Sequence, residues 1–262
     1  MNSNNNNSQP IFIIGSARSG TSILALAIRS TMKIPFYNEG HFLPVMNYVV
    51  SAVDNYYESK PISPDVEIGA ISHIKKEELI NEIQNLFYKV YNSLYQSNVW
   101  LDKTPEIEMI DSVPIIAKTW PKAKFIFAKR RGIENINSRM RKWPNETFQS
   151  HCIRWSVCMK SWLEIRDSVV NSSIEIEQRD IEKNPQMISK RICDFLNIGE
   201  ESEKSIYDIF TSKRPESTSA SRLVDIELNN TGWTAEQIKI YRHHCSDISK
   251  KFGYSETTDY YL

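Results

Sequence analysis

Apolar positions fall into short unbroken runs separated by longer amphipathic stretches, the alternation expected of a parallel sheet covered by helices. The runs Ile11 to Ile14, Pro35 to Tyr37, Val99 to Leu101, Lys124 to Ala128 and Ser173 to Ile176 are predicted strands. Between them, Leu79, Ile83, Phe87, Val90 and Leu94 recur at helical spacing, and Ile238, Tyr241, Cys245, Ile248 and Phe252 do the same near the end. Both stripes are predicted to face the core. Trp155 and Trp162 with Met140 and Met159 read as helix packing, and Trp143 before Pro144 as packing or a wall of an acceptor pocket. The stretches 59–72 and 211–232 read as loops or lids, and neither marks a domain boundary.

At 262 residues the chain fits one α/β domain, expected over 10–262 behind a disordered polar tail, MNSNNNNSQ, at 1–9. Lys plus Arg and Asp plus Glu both number 32, so no global field draws the protein to nucleic acid or an anionic membrane. No apolar run approaches the roughly 18 residues of a membrane span, and the polar start is unlike a signal peptide. A cytoplasmic location is the resulting expectation. Cys152, Cys158, Cys193 and Cys245 have neither C-x-x-C nor zinc spacing, so buried free thiols are expected and no metal site.

The chemistry collects after the predicted strands, because in a parallel sheet all strand carboxyl ends share one edge. After the first comes Gly15-Ser-Ala-Arg18-Ser19-Gly20-Thr21-Ser22, a G-x-x-x-x-G loop with Thr21 where a triphosphate-binding loop carries lysine. Its ligand is therefore expected to be an anion cradled by backbone N–H groups, with Arg18 as the loop's cation, rather than a metal-chelated triphosphate. Glu39 and His41 follow the second strand, Lys103 the third, and Arg130 and Arg131 the fourth. Each has a plainer reading: Glu39 as a cap for a helix starting near Phe42, His41 as a structural histidine, Lys103 as part of a turn, Arg131 as a solvated neighbour.

These segments resemble the sulfotransferases that use 3'-phosphoadenosine 5'-phosphosulfate (PAPS). SARSGTS at 16–22 is similar to their 5'-phosphosulfate loop, and AKRRGIENINS at 128–138 to their 3'-phosphate motif, with Arg130 and Ser138 eight residues apart. DKTP at 102–105 and Glu39 resemble the carbohydrate- and tyrosine-sulfating and bacterial branches with a glutamate base, rather than the cytosolic branch with a histidine base. IEIEQRDIEKNP and the pair Phe195-Leu196 extend the likeness, although Gln178 stands where the family usually has tyrosine.

The resemblance implies a P-loop-like sulfotransferase fold around a central parallel sheet flanked by helices. It implies metal-free, in-line transfer of a sulfuryl group from PAPS to a hydroxyl of a small molecule or saccharide. Arg18, Ser19, Gly20, Thr21 and Ser22 would hold the phosphosulfate, and Arg130 with Ser138 the 3'-phosphate. Arg222 in the late loop would add to that 3'-phosphate grip. Lys103 would track charge on the leaving oxygen, and Glu39, or His41 beside it, would take the acceptor's proton. Cations and N–H donors so placed are each worth roughly 3 kcal/mol. The rival class is a P-loop small-molecule kinase using ATP, which Thr21 at the lysine position disfavours. Oligomeric state is open.

Overall fold

The computed structural model describes residues 8–60, 69–212 and 225–262. Five strands, β1 (Ile11–Gly15), β2 (Phe36–Tyr37), β3 (Leu101–Lys103), β4 (Lys124–Lys129) and β5 (Ser173–Glu177), form one parallel sheet in the order β2-β3-β1-β4-β5. Its helices are α1 (Thr21–Met32), α2 (Leu43–Glu58), α3 (Ala70–His73), α4 (Lys76–Tyr95), α5 (Ile107–Asp111), α6 (Val113–Thr119), α7 (Gly132–Lys142) and α8 (Phe148–Ile165). They continue with α9 (Gln178–Lys183), α10 (Pro185–Leu196), α11 (Glu200–Ser212) and α12 (Ala235–Lys251).

Side chains of the central strands alternate between two buried faces, which is why β1 and β4 are apolar throughout. Phe12 and Phe125 stack at 5.4 Å on one face, joined by Trp100, Trp120 and residues of α2, α4, α6, α8 and α12. Ile11, Ile13 and Ile126 meet α1, α10 and α11 on the other. The connection from β1 leads past β3 to β2, whereas that from β3 leads past β1 to β4. Neighbouring strands thus send their following segments opposite ways, and a crevice opens at their carboxyl ends.

Three expectations shift. β3 starts two residues later than its apolar run, because its register is fixed by pairing Leu101 with Ile11 and Phe36; Lys103 is its last residue rather than the start of a loop. On α4 the core face is Phe87, Tyr91 and Tyr95, while Leu79, Val90 and Leu94 are exposed and Ile83 half-buried. Turning the aromatics inward buries more apolar area than turning the leucines inward. Ser8 and Gln9 already belong to the fold, through Ser8 Oγ to Asn92 Oδ1 (3.1 Å) and Gln9 N to the Asn98 carbonyl (2.6 Å).

The α12 stripe faces the core as predicted, with Ile238 half-buried and the rest buried, and the four cysteines, Trp155, Trp162 and Met159 are buried. A Thr234–Gln237 capping box starts α12. Among the described residues no helix is long and apolar enough to cross a membrane.

Candidate active site

The loop between β1 and α1 is shaped by three residues at positive φ: Gly15 (138°), Arg18 (72°) and Gly20 (90°). Gly15 is obligatory on two counts, since its φ excludes L side chains and a Cβ there would collide with the Ala128 carbonyl of β4. Asn135 Nδ2 pins the loop from α7, donating to the Ala17 carbonyl and to Ser19 Oγ at 3.0 Å each. Among the described residues no side chain caps the N-terminus of α1, so its first N–H groups, beginning with those of Thr21 and Ser22, remain for an external acceptor.

Two cations and a hydroxyl converge beside this loop. Arg18 Nε donates to Ser138 Oγ (3.1 Å), Arg130 Nη1 donates to the Arg18 carbonyl (3.0 Å), and Trp155 Nε1 donates to the Arg130 carbonyl (3.0 Å). The Nε of Arg130 is buried and has no hydrogen-bond partner among the described residues. Burial pulls Arg130 below the ordinary arginine range; Glu134, Tyr260 and Glu177 pull it back, and the charge of Arg18 adds to the fall. An orphaned guanidinium N–H next to an uncapped helix start and a glycine-lined loop is the donor set of an anion site.

Arg131, expected to be solvated, is instead wholly buried. Its Nε donates to Glu134 Oε2 (2.9 Å) and its Nη2 to Glu134 Oε1, while further N–H groups reach the carbonyls of Ser255, Thr257 and Ile226 (3.1, 2.6 and 2.8 Å). Tyr260 stacks under the guanidinium at 4.6 Å and donates its hydroxyl to Glu177 Oε1 (2.7 Å); Tyr254 donates to Glu177 Oε2 (2.5 Å). Of two adjacent arginines, one thus locks the C-terminal segment and the other faces the crevice loop. Burial pushes the Glu177 carboxyl up to about 7, against the pull of the two tyrosine hydrogen bonds.

A second cluster lies at the ends of β2 and β3. Lys103 Nζ, almost fully buried, donates to Glu39 Oε1 at 2.5 Å. Glu39 Oε2 is 3.0 Å from His41 Nε2, and His41 Nδ1 is 3.1 Å from Glu106 Oε2, so four side chains form one hydrogen-bonded chain. Burial lowers the His41 pKa, but the hydrogen bond and charge of Glu106, followed by those of Glu39, outweigh it and the net shift is upward. The segment is held from below: Gly40 N donates to Thr104 Oγ1 (3.2 Å), whose hydroxyl donates to Asp102 Oδ1 (2.7 Å). A Cβ on Gly40 would occupy the place of Asp102 Oδ2, an oxygen that is itself buried with no partner among the described residues. Burial pushes Asp102 up to about 6, with Thr104, His41 and Lys103 opposing.

Glu39 is no helix cap, because Phe42 stands at the N-cap of α2 and no side chain caps that end among the described residues. Glu106 escaped the sequence reading; its only signal was a carboxylate three positions after Lys103 in LDKTPE. Trp143 stacks on Arg139, with the guanidinium carbon 4.9 Å from its ring. Gln178 packs against Gly20. Arg222 lies outside the described residues.

Fold and crevice together define an α/β protein with cations and an uncapped helix start at the switch point of its sheet. The profile of the Sulfotransferase family matches residues 10–202, and the chain belongs to that family. No curated protein matches it.

Solved structures share the fold at low identity. Sulfotransferase STF9 from Mycobacterium avium superposes with a TM-score of 0.55 at 13% identity, covering 94% of this chain and 76% of that one. The sulfotransferase domain of the Synechococcus PCC 7002 olefin synthase gives 0.52 at 19%, covering 95% and 96%. Mouse sulfotransferase SULT7A1, solved in complex with PAP, gives 0.52 at 16%, covering 93% and 87%.

Proposed function

We propose that the protein transfers a sulfuryl group from PAPS to a hydroxyl of a small-molecule or saccharide acceptor, releasing 3'-phosphoadenosine 5'-phosphate (PAP). The observation that carries this reading is the meeting of Arg18, Ser138 and the orphaned Nε of Arg130 beside the uncapped start of α1. The Lys103–Glu39 pair stands at the same sheet edge. The PAP bound to the mouse neighbour is in keeping with such a ligand.

In this reading the α1 N–H groups, Thr21, Ser22 and Arg18 hold the phosphosulfate, and Arg130 with Ser138 holds the 3'-phosphate. Arg222 is assigned there by resemblance. The acceptor oxygen forms a bond to sulfur as the bond from sulfur to the 5'-phosphate oxygen breaks, and that oxygen leaves with the electron pair. Charge grows on the leaving oxygen, where cations contribute most.

Lys103 and Glu39 hold each other until both substrates are bound. Lys103 then turns its ammonium toward the leaving oxygen, which frees Glu39 Oε1 to accept the acceptor's proton. His41, fixed by Glu106, keeps the other Glu39 oxygen in place.

Labelled PAPS incubated with an acceptor panel tests the reaction. Glu39→Gln should cut turnover by about a thousandfold while PAP binds as before. A fully active Glu39→Gln enzyme would move the base role to His41, and magnesium-dependent ATP consumption without sulfuryl transfer would favour the kinase class instead.

A further inference from the structure

The helix α4 spans 20 residues, about 30 Å, and carries two apolar stripes. One, formed by Phe87, Tyr91 and Tyr95, is buried against the sheet. The other, Leu79, Ile83, Leu86, Val90 and Leu94, runs along the outer flank with steps of four, three, four and four. Leu86 at its centre is 59% exposed, and Leu79, Val90 and Leu94 are also exposed. Steps of three and four are those of a helix-pairing seam, in which knobs of one helix enter holes of another. Four exposed apolar side chains, with half-buried Ile83 completing the row, exceed the single apolar residues that surfaces ordinarily scatter.

From this stripe we infer that the protein pairs with a second copy of itself through antiparallel packing of α4 on α4. The seam is self-complementary in shape. A two-fold axis that sets Ile83 of one copy against Leu86 of the other also sets Leu79 against Val90, and each layer occurs twice.

It is self-complementary in charge under the same register. Glu82 precedes Ile83 and Lys89 precedes Val90 on the solvent flank of the stripe, so the axis brings Glu82 of each copy beside Lys89 of the other. Neither residue has an ion-pair partner among the described residues, and both are exposed. The register chosen by the apolar residues is therefore the one that pairs these charges, and a parallel arrangement would not pair them.

So short a seam fits a weak, reversible dimer. Sedimentation of the full chain over a concentration series should show reversible dimers below about 100 µM. Leu86→Glu, at a site already solvent-exposed, should leave a folded monomer by circular dichroism and sedimentation.

Glu82→Lys alone should weaken the dimer about tenfold, since it sets two lysine pairs against each other, and Lys89→Glu should do the same with glutamates. Mixing the two variants should restore association as a heterodimer, because every cross-seam pair is then opposite in charge. A wild-type protein monomeric throughout the series overturns the proposal. So does a dimer indifferent to Leu86→Glu, or one for which mixing the charge variants restores nothing.

Discussion

Arg130→Met is expected to cost PAP affinity without costing stability. In the free protein the Arg130 guanidinium has a buried Nε with no partner among the described residues and lies close to the like charge of Arg18, and burial already works against its charged form. The hydrogen bond it donates to the Arg18 carbonyl is worth about 1 to 2 kcal/mol, and the desolvation removed with the charge offsets it. The melting temperature without ligand should move by less than about 3 °C.

The ligand-bound state is different, because a phosphate dianion against this guanidinium makes charge-assisted bonds whose loss costs about 3 kcal/mol, roughly 150-fold in Kd. Thermal shift reads both effects. PAP at 100 times the wild-type Kd stabilises the wild type by about 2.7 kcal/mol, or about 5 to 10 °C for a chain of this size. The same concentration lies below the variant's Kd and should shift it by about 1 °C. AMP, which lacks the 3'-phosphate, should shift both proteins alike. A variant that keeps the full PAP shift, or loses PAP and AMP in equal measure, refutes the assignment of Arg130 to the 3'-phosphate.

Gly15→Ala should destabilise the fold by about 3 kcal/mol or more, through its positive φ and the clash with the Ala128 carbonyl; an unchanged urea midpoint would contradict that geometry. Arg131→Met should cost about 3–5 kcal/mol, since it strands the buried Glu134 carboxylate and frees three C-terminal-side carbonyls, and Arg131→Lys should rescue little because it cannot fork. Asp102 and Glu177 titrate at about 6 and about 7 in the fold, above their unfolded values, so the native state holds more protons than the unfolded chain between about pH 4 and 7. Stability should therefore fall as pH rises through that window, by up to about 3 kcal/mol for each group. Urea midpoints that rise from pH 5 to pH 8 would count against both burials.

Much of this architecture was legible in the sequence, and the gaps have physical causes. Strands buried on both faces are bound to be unbroken apolar runs, which made β1 and β4 readable, and Gly15 to Ser22 announced a tight strand-to-helix turn. Arg18 was singled out in one motif and Arg130 with Ser138 in another, and Arg18 proves to be hydrogen-bonded to both. The fate of Arg131 was not legible, because its partners include carbonyls more than 90 residues away. Helical spacing identified α4 but could not choose between two apolar stripes; that choice depends on aromatic area packed against the sheet. Glu106 joins His41 only because the segment after β2 folds over β3 at Gly40, a close approach that no local pattern encodes.

The Arg131 lock also sets an order of events during synthesis. The loop, α1 and Arg130 all lie in the first half of the chain, yet the residue beside Arg130 is fastened by Ser255, Thr257 and Tyr260. Until that segment and Ile226 are made, Glu134 is the one of these partners of Arg131 within reach, and the turn that carries Arg130 lacks its C-terminal fastening. The proposed nucleotide grip should accordingly arrive late, well after the sheet is assembled, so that a nascent chain carries the Gly15 to Ser22 loop through most of translation without it.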